Sequence, residues 1–346
     1  MPLIQKISVQ NLRIHDSYIL DVLPSTTVIE GMNGSGKTSL IEALYIALQG
    51  SSFKGGDGDV LQNGAPWYRI DVKFDDESVR SVKFDPSRQS GKKQFVVDGK
   101  THYRLPQKSK YPVVLFEPED LRLLNGSPSR RRHFIDHFIS QLDPQYAMAL
   151  SRYERVLRQR NALLKQQAAS DSLFAWNVSL SEHGAYIIEQ RIRFCDELNK
   201  RLNDVYKSIA HTDDTVAVRY SHEPHENTMQ RLLSQLHDCA EKDKMLGFTS
   251  VGPHRHDILF DFNSSPALSV ASRGEVRTVV LALKFLEVDI IESITNKKPV
   301  VLLDDLFSEL DKQRQNYLVE STKIGQTIIT SATNSSGISI GSVRKL

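Results

Sequence analysis

Three short blocks of this chain carry residues suited to phosphate chemistry. Gly31-Met32-Asn33-Gly34-Ser35-Gly36-Lys37-Thr38 matches G-x-x-x-x-G-K-[ST] in full. Glycines let backbone N–H groups converge on phosphate oxygens at a helix N-terminus, where the dipole favours negative charge. Gly31, Asn33, Gly34, Ser35 and Gly36 form this candidate cradle. Lys37 would reach the β- and γ-phosphates, the Thr38 hydroxyl would bind Mg²⁺, and Ser39 would donate to the α-phosphate. Far downstream, Val300-Val301-Leu302-Leu303 ends on Asp304-Asp305. Asp304 is expected to hold Mg²⁺ through water, and Asp305 to orient or deprotonate an attacking water. An acidic pair after an apolar strand is usually just a strand end; the phosphate loop reverses those odds. The third block, Ser272-Arg273-Gly274-Glu275, is weak alone, because a serine helix cap explains it without function.

These blocks need elements to position them. Thr26-Thr27-Val28-Ile29 reads as a strand entering the loop, and Ser39 to Leu48 as the helix leaving it. Val72, Phe74, Val82, Phe84, Phe95 and Val97 lie in strand-like runs, with a turn signal at Asp98-Gly99, so an antiparallel sheet should lie beside the nucleotide core. After Pro128 the period changes. Tyr146, Leu150, Tyr153, Leu157 and Leu164 share one helix face, as do Ile187, Phe194, Leu198, Leu202 and Val205. Two long helices folding back on one another are expected, interrupted at Gln166 to Ser172. Strand character returns at Thr249 and finishes the core with Val300–Leu303 and Gln326–Thr330.

Composition narrows the classes. A net charge of +2 means that any nucleic-acid binding must come from local patches. One such patch is Arg130-Arg131-Arg132 with Arg152, Arg155, Arg158 and Arg160, although a charge run is more often a solvated face. Cys195 and Cys239 have no metal-ligand spacing and suit a reducing compartment. The longest apolar run, Val279 to Ile291, is broken by Lys284, Glu287 and Asp289, so no membrane span is expected. His254-Arg255-His256-Asp257 lacks a third ligand nearby and reads as structural. A GTPase reading is disfavoured, since Asn296-Lys297-Lys298-Pro299 lacks the Asp of N-K-x-D. A transporter-type ATPase subunit is the alternative, and the inserted basic helices stand against it.

With these residues in hand, the chain resembles the RecF family of bacterial recombination-mediator ATPases along nearly its whole length. The resemblance rests on Val9-Gln10-Asn11-Leu12-Arg13, Gly31 to Glu42, and Gly50-Ser51-Ser52-Phe53-Lys54. It continues through Phe116 to Leu121, Gly126-Ser127-Pro128 with Arg131-Arg132, and Tyr153 to Leu164. Gly252-Pro253-His254-Arg255, Ser272 to Glu275 and Leu303 to Asp311 complete it. It implies an α/β fold: an ABC-type ATPase head, related to SMC-type heads, with a flanking antiparallel β-region. The head would comprise residues 1–125 and 246–346, and a mainly α-helical arm would occupy residues 126–245.

The resemblance further implies ATP and Mg²⁺ as cofactors, Arg13 among the nucleotide contacts, and an ATP-dependent homodimer. In that dimer Ser272 and Gly274 act in trans on the partner's γ-phosphate. It implies binding to gapped or single-strand/double-strand DNA, with Lys54, Arg130, Arg131 and Arg132 as contacts. Slow ATP hydrolysis would act as a switch. With RecO and RecR the protein would promote RecA loading, repair, replication restart and SOS induction, in the cytoplasm at the nucleoid. Two departures stand out. Asp305 replaces the common Glu, and Thr330-Ser331-Ala332-Thr333 occupies the place of the switch histidine.

Overall fold

The alternating apolar residues of the first hundred positions build one antiparallel sheet. Its strands are β1 (Ile4–Leu12), β2 (His15–Asp21), β4 (Tyr68–Phe74), β5 (Val79–Phe84), β6 (Lys93–Val97) and β7 (Lys100–His102), in the order β2-β1-β4-β5-β6-β7. Along β4 every second residue, Tyr68, Ile70, Val72 and Phe74, is buried, as one covered face requires. The β-branched run before the phosphate loop is β3 (Thr26–Gly31), and it belongs to a second sheet.

That sheet is parallel throughout. It pairs β3 with β8 (Val113–Phe116), β12 (Val300–Leu303), β13 (Thr327–Ala332) and β14 (Ser342–Lys345), in the order β14-β3-β13-β12-β8. All four residues of β12 are buried, the pattern of a strand covered on both faces. Helix α1 (Lys37–Gln49) packs against strands of both sheets and is apolar nearly all round. Gly50, left-handed at φ 97°, ends it. The short α2 (Asp57–Val60) follows.

This computed structural model describes residues 2–167, 171–321, 325–332 and 342–345. The chain divides into two units, Met1–Asp120 with Glu287–Leu346, and Leu121–Leu286. The second unit is mainly helical: α3 (Pro128–Leu142), α4 (Pro144–Lys165), α5 (Asp171–Ala210), α6 (Thr228–Asp238), α7 (Ala240–Leu246), α8 (Ala267–Val270) and the first part of α9 (Arg273–Thr295). The Ser127 and Asp143 side chains cap α3 and α4, each followed by proline at the first helical position. The two helices expected to fold back on one another are α4 and α5, which pack together extensively.

The strand signal expected after Thr249 is real but serves a different sheet. β10 (Ile258–Phe262) pairs with β9 (Val216–Tyr220) and β11 (Ser265–Pro266) inside the second unit. Among the described residues after β10, those that return to the phosphate-loop sheet form β12, β13 and β14. In the remaining first-unit segment, α10 (Lys312–Ser321) precedes β13.

Buried arginines organise the second unit. Arg160 is fully buried, and its guanidinium donates to Asp243 Oδ2 (2.7 Å), Asn177 Oδ1 (2.7 Å), Thr249 Oγ1 (2.8 Å) and the Leu236 carbonyl (3.3 Å). Arg191 forks onto Asp136 at 2.8 and 2.9 Å and donates to the Pro253 carbonyl at 2.7 Å.

Candidate functional site

The backbone between β3 and α1 can turn this tightly only with glycine. Gly34 and Gly36 have φ of 84° and 93°, a region that disfavours other residues. A Cβ on Gly36 would also meet His15 Nε2 at 2.3 Å, where the imidazole lies 3.1 Å from the Gly36 carbonyl. Helix α1 starts at once, with no side-chain cap and no acidic residue in its first turn. Its N-terminal donors and dipole are thus left for an anion.

Lys37 is 6% exposed, and Nζ donates to the carbonyls of Gly31 (2.7 Å) and Met32 (3.0 Å). No carboxylate lies within ion-pairing distance of it among the described residues. Ser35 Oγ is buried without a hydrogen-bond partner. A buried ammonium and an unsatisfied hydroxyl are costly unless a ligand completes them, and phosphate oxygens suit both. Asn33, Gly34, Gly36, Lys37, Thr38, Ser39, Ile14 and Asp305 line a cavity of about 390 Å³ at this point.

The acidic pair meets the loop here. The Asp304 N–H donates to the Phe116 carbonyl (2.8 Å), extending the β12–β8 ladder, and fixes the carboxylate in a nearly buried position. Thr38 Oγ1 donates to Asp304 Oδ1 at 2.7 Å. Two hard oxygens in contact form a donor set that fits Mg²⁺, which takes one or two protein oxygens and fills its octahedron with phosphate and water. Asp305 adopts φ 47° and lines the cavity. Burial raises its carboxyl pKa; the Lys37 charge opposes the shift, and Asp304 and Glu309 add to it.

Thr330 ties the two acids together. Its hydroxyl accepts from the Asp305 N–H (2.9 Å) and lies 3.0 Å from Asp304 Oδ1, to which it can donate. Of the segment standing in place of a switch histidine, Thr330 therefore touches both acids. Thr333 lies outside the described residues.

One participant escaped the sequence reading. Glu42, 1% exposed, receives a two-pronged bond from Arg13 (Nε and Nη2, both 2.8 Å) and one from Ser52 Oγ (2.5 Å). Ser52 Oγ in turn accepts from the N–H groups of Lys54 and Gly55. The signal was present as a lone acid inside the apolar helix Leu40–Leu48. Arg13 is thus engaged by Glu42 and by the Asp59 carbonyl; its neighbour Ile14 reaches the cavity. Lys54, expected at DNA, stands with Nζ 3.5 Å from Asp304 Oδ2.

In the second unit, Ser272 caps α9 reciprocally. The Ser272 N–H donates to Glu275 Oε2 (2.6 Å), and the Glu275 N–H to Ser272 Oγ (3.3 Å). The box leaves Ser272 exposed, with Gly274 in the first turn. Among the expected DNA contacts, Arg131 needs correction. It is buried, forks onto Asp257 (2.7 and 2.9 Å) and donates to the Leu124 and Gly126 carbonyls, so its guanidinium is consumed within the fold. Arg132 is half-buried and donates to the His256 carbonyl (2.7 Å). Arg130 is half-buried, while Arg152, Arg155 and Arg158 are exposed along α4.

Comparison with known proteins agrees with this fold. Residues 6–243 match the family described as an AAA domain. The chain is 33% identical to the DNA replication and repair protein RecF of Lachnoclostridium phytofermentans over 95% of this chain and 92% of the relative. The structure of the recombination mediator protein RecF–ATPrS in the RecFOR pathway superposes with a TM-score of 0.89 at 28% identity, covering 100% of this chain and 96% of that one. The Smc head bound to the C-winged helix domain of ScpA shares the fold at a TM-score of 0.54 and 15% identity, covering 96% and 90% of the two chains.

Proposed function

The chain belongs to the RecF family of DNA replication and repair proteins, with an ABC-type ATPase head, and from that premise we propose an ATP-driven DNA-binding switch. The observation that carries this reading is the buried Lys37 ammonium, which faces a glycine loop without a carboxylate, beside the Thr38–Asp304 pair.

In this reading the loop N–H groups, Lys37 and Ser35 bind the nucleotide phosphates, and Ser39 assists at the α-phosphate. Thr38 and Asp304 would hold Mg²⁺, which when bound would neutralise phosphate charge. Asp305 orients the attacking water, and its raised pKa suits a group that takes a proton. Thr330 keeps the two acids in register. Asp305 has one methylene less than Glu, which favours slow turnover. Glu42 and Arg13 act one step back, holding the segment that carries Lys54 over Asp304.

Two copies close on ATP, with Ser272 and Gly274 of each reaching the other's nucleotide. The closed dimer grips gapped or junction DNA through Arg130, Arg152, Arg155 and Arg158, whose contacts to backbone phosphates make affinity fall steeply with salt. Release follows hydrolysis, which DNA stimulates. Work with RecO and RecR in loading RecA, supporting replication restart and SOS induction, and placement in the cytoplasm at the nucleoid complete the proposal.

Analytical ultracentrifugation tests its centre. Wild type should dimerise only with Mg²⁺·ATP, Lys37→Ala should fail to bind ATP, and Ser272→Arg should bind ATP yet stay monomeric. A Ser272→Arg protein that dimerises normally removes the trans-acting role while leaving the nucleotide site intact.

A further inference from the structure

A second buried cation lacks a carboxylate, well away from the phosphate loop. Arg80 stands at an inward position of β5, in register with Val82 and Phe84, where an apolar residue is the usual occupant. It is 4% exposed. Nη1 donates to the Ala47 carbonyl (2.9 Å) and Nη2 to the Ser109 carbonyl (2.6 Å). The guanidinium carbon lies 4.8 Å from the Tyr111 ring centroid and 5.8 Å from that of Phe74. Nε is buried with no partner, and no ion pair to Arg80 is present among the described residues. Burial lowers its pKa. Asp98 and Tyr111 oppose that shift without forming an ion pair, and a buried charge with no paired carboxylate is costly for a fold to carry.

Arg80 lines a cavity of about 280 Å³, together with Lys108, Lys110 and Lys297. Burial also holds the Lys110 ammonium below its ordinary range. Two carboxylates, Asp76 and Asp98, share the lining. Asp76 Oδ1 is already engaged by the Ser78 N–H (3.0 Å) and Oγ (2.5 Å). Four cations thus face two acids. Tyr111 and Lys297 precede β8 and β12, so the cavity lies at the amino ends of the parallel strands. The phosphate loop follows the carboxyl end of β3, so the two sites belong to opposite ends of one sheet.

We propose that this cavity is a second anion site that takes a phosphate group, supplied either by a free nucleotide or pyrophosphate or by a nucleic-acid backbone. The excess of two positive charges matches a phosphate dianion better than a chloride or a single carboxylate. Guanidinium and ammonium donors together are the usual partners of phosphate oxygens. The volume exceeds that of several waters, at about 30 Å³ each, and leaves room for a phosphate with part of its ester.

Pyrophosphate titration by calorimetry tests this in Lys37→Ala protein, where the phosphate loop is silenced. About one pyrophosphate should still bind per protomer, and adding Lys108→Gln with Lys297→Gln should weaken it at least tenfold. Both lysines are exposed, so melting temperature should not move. Arg80 itself is left alone, because its removal strips the Ala47 and Ser109 carbonyls of their donors. If Lys37→Ala protein binds no pyrophosphate, or the lysine changes leave binding intact, the proposal fails. Competition then identifies the source. Displacement by a short DNA duplex points to backbone phosphate, and displacement by AMP alone to a free nucleotide. Displacement by neither leaves pyrophosphate itself as the ligand.

Discussion

Lys37 in the first unit and Arg160 in the second are both buried cations, and their surroundings could hardly differ more. Arg160 meets a carboxylate, an amide, a hydroxyl and a carbonyl, all supplied by the chain. Among the described residues, Lys37 hydrogen-bonds two carbonyls and no carboxylate. A buried charge that the fold itself neutralises is architecture; one left without a counter-charge marks where a ligand completes the structure. Arg131 and Arg191 fall on the first side of this line, and Arg80 falls on the second.

The sharpest way to break this contrast is to remove both cations. Arg160→Leu strands Asp243 in the interior and should cost about 3–5 kcal/mol. Lys37→Ala removes a buried charge with no carboxylate within ion-pairing distance among the described residues, and should cost far less stability than Arg160→Leu while abolishing ATP binding. Chemical denaturation of the two variants decides it: comparable losses would erase the distinction.

Asp305→Asn comes next. It keeps the shape of the site but not the proton acceptor, so turnover should fall about 10²–10⁴-fold with nucleotide affinity unchanged. Single-turnover hydrolysis beside equilibrium binding reads the two separately, and unchanged turnover removes the assigned role.

A smaller effect separates the units by pH. In the second unit, burial depresses His254 to about 4 and His256 to about 3, with neighbouring Arg132 charge adding to both shifts. Their rings accept or donate at Tyr153, Tyr220 and the Thr249 carbonyl instead of carrying charge. Below the unfolded value of 6.5 the unfolded chain binds protons that the folded one refuses. Stability is therefore complete above pH 6.5 and falls toward pH 4, by roughly 1–3 kcal/mol per pH unit for one to two protons. Asp305 has the opposite sign, since its raised pKa favours the folded state as pH drops through the carboxylate range. Hydrogen exchange at pH 7 and pH 5 should show second-unit amides losing protection first. Uniform loss across both units would contradict this reading.

The sequence made the chemistry legible where it is local. The phosphate loop with its strand and helix, and the acidic pair, each sit on contiguous residues, and the fold brings the two blocks together at Thr38 and Asp304. The fate of each arginine was not legible, because Arg131 and Arg160 find their carboxylates 126 and 83 positions away. Arg130-Arg131-Arg132 looked like one basic run, yet the helix turns Arg131 inward to Asp257 and leaves its neighbours half-buried. The β10 strand was recognisable, but not its pairing with β9, since alternation identifies a covered face without naming the partner. Glu42 was visible and unread: an acid inside an apolar helix requires a cation, and Arg13 supplies it.

The position of β3 in its sheet sets a timetable for synthesis. Its two neighbours, β13 and β14, come from the last twenty residues, whereas the loop it carries is complete by residue 38. A ribosome adding about 5–20 residues per second leaves on the order of tens of seconds between those events. Throughout that interval the strand beneath the nucleotide loop has neither flank, and a nascent or prematurely terminated chain holds the loop sequence without the sheet that shapes it. Competence for nucleotide is thus expected only once translation has passed β13 and β14.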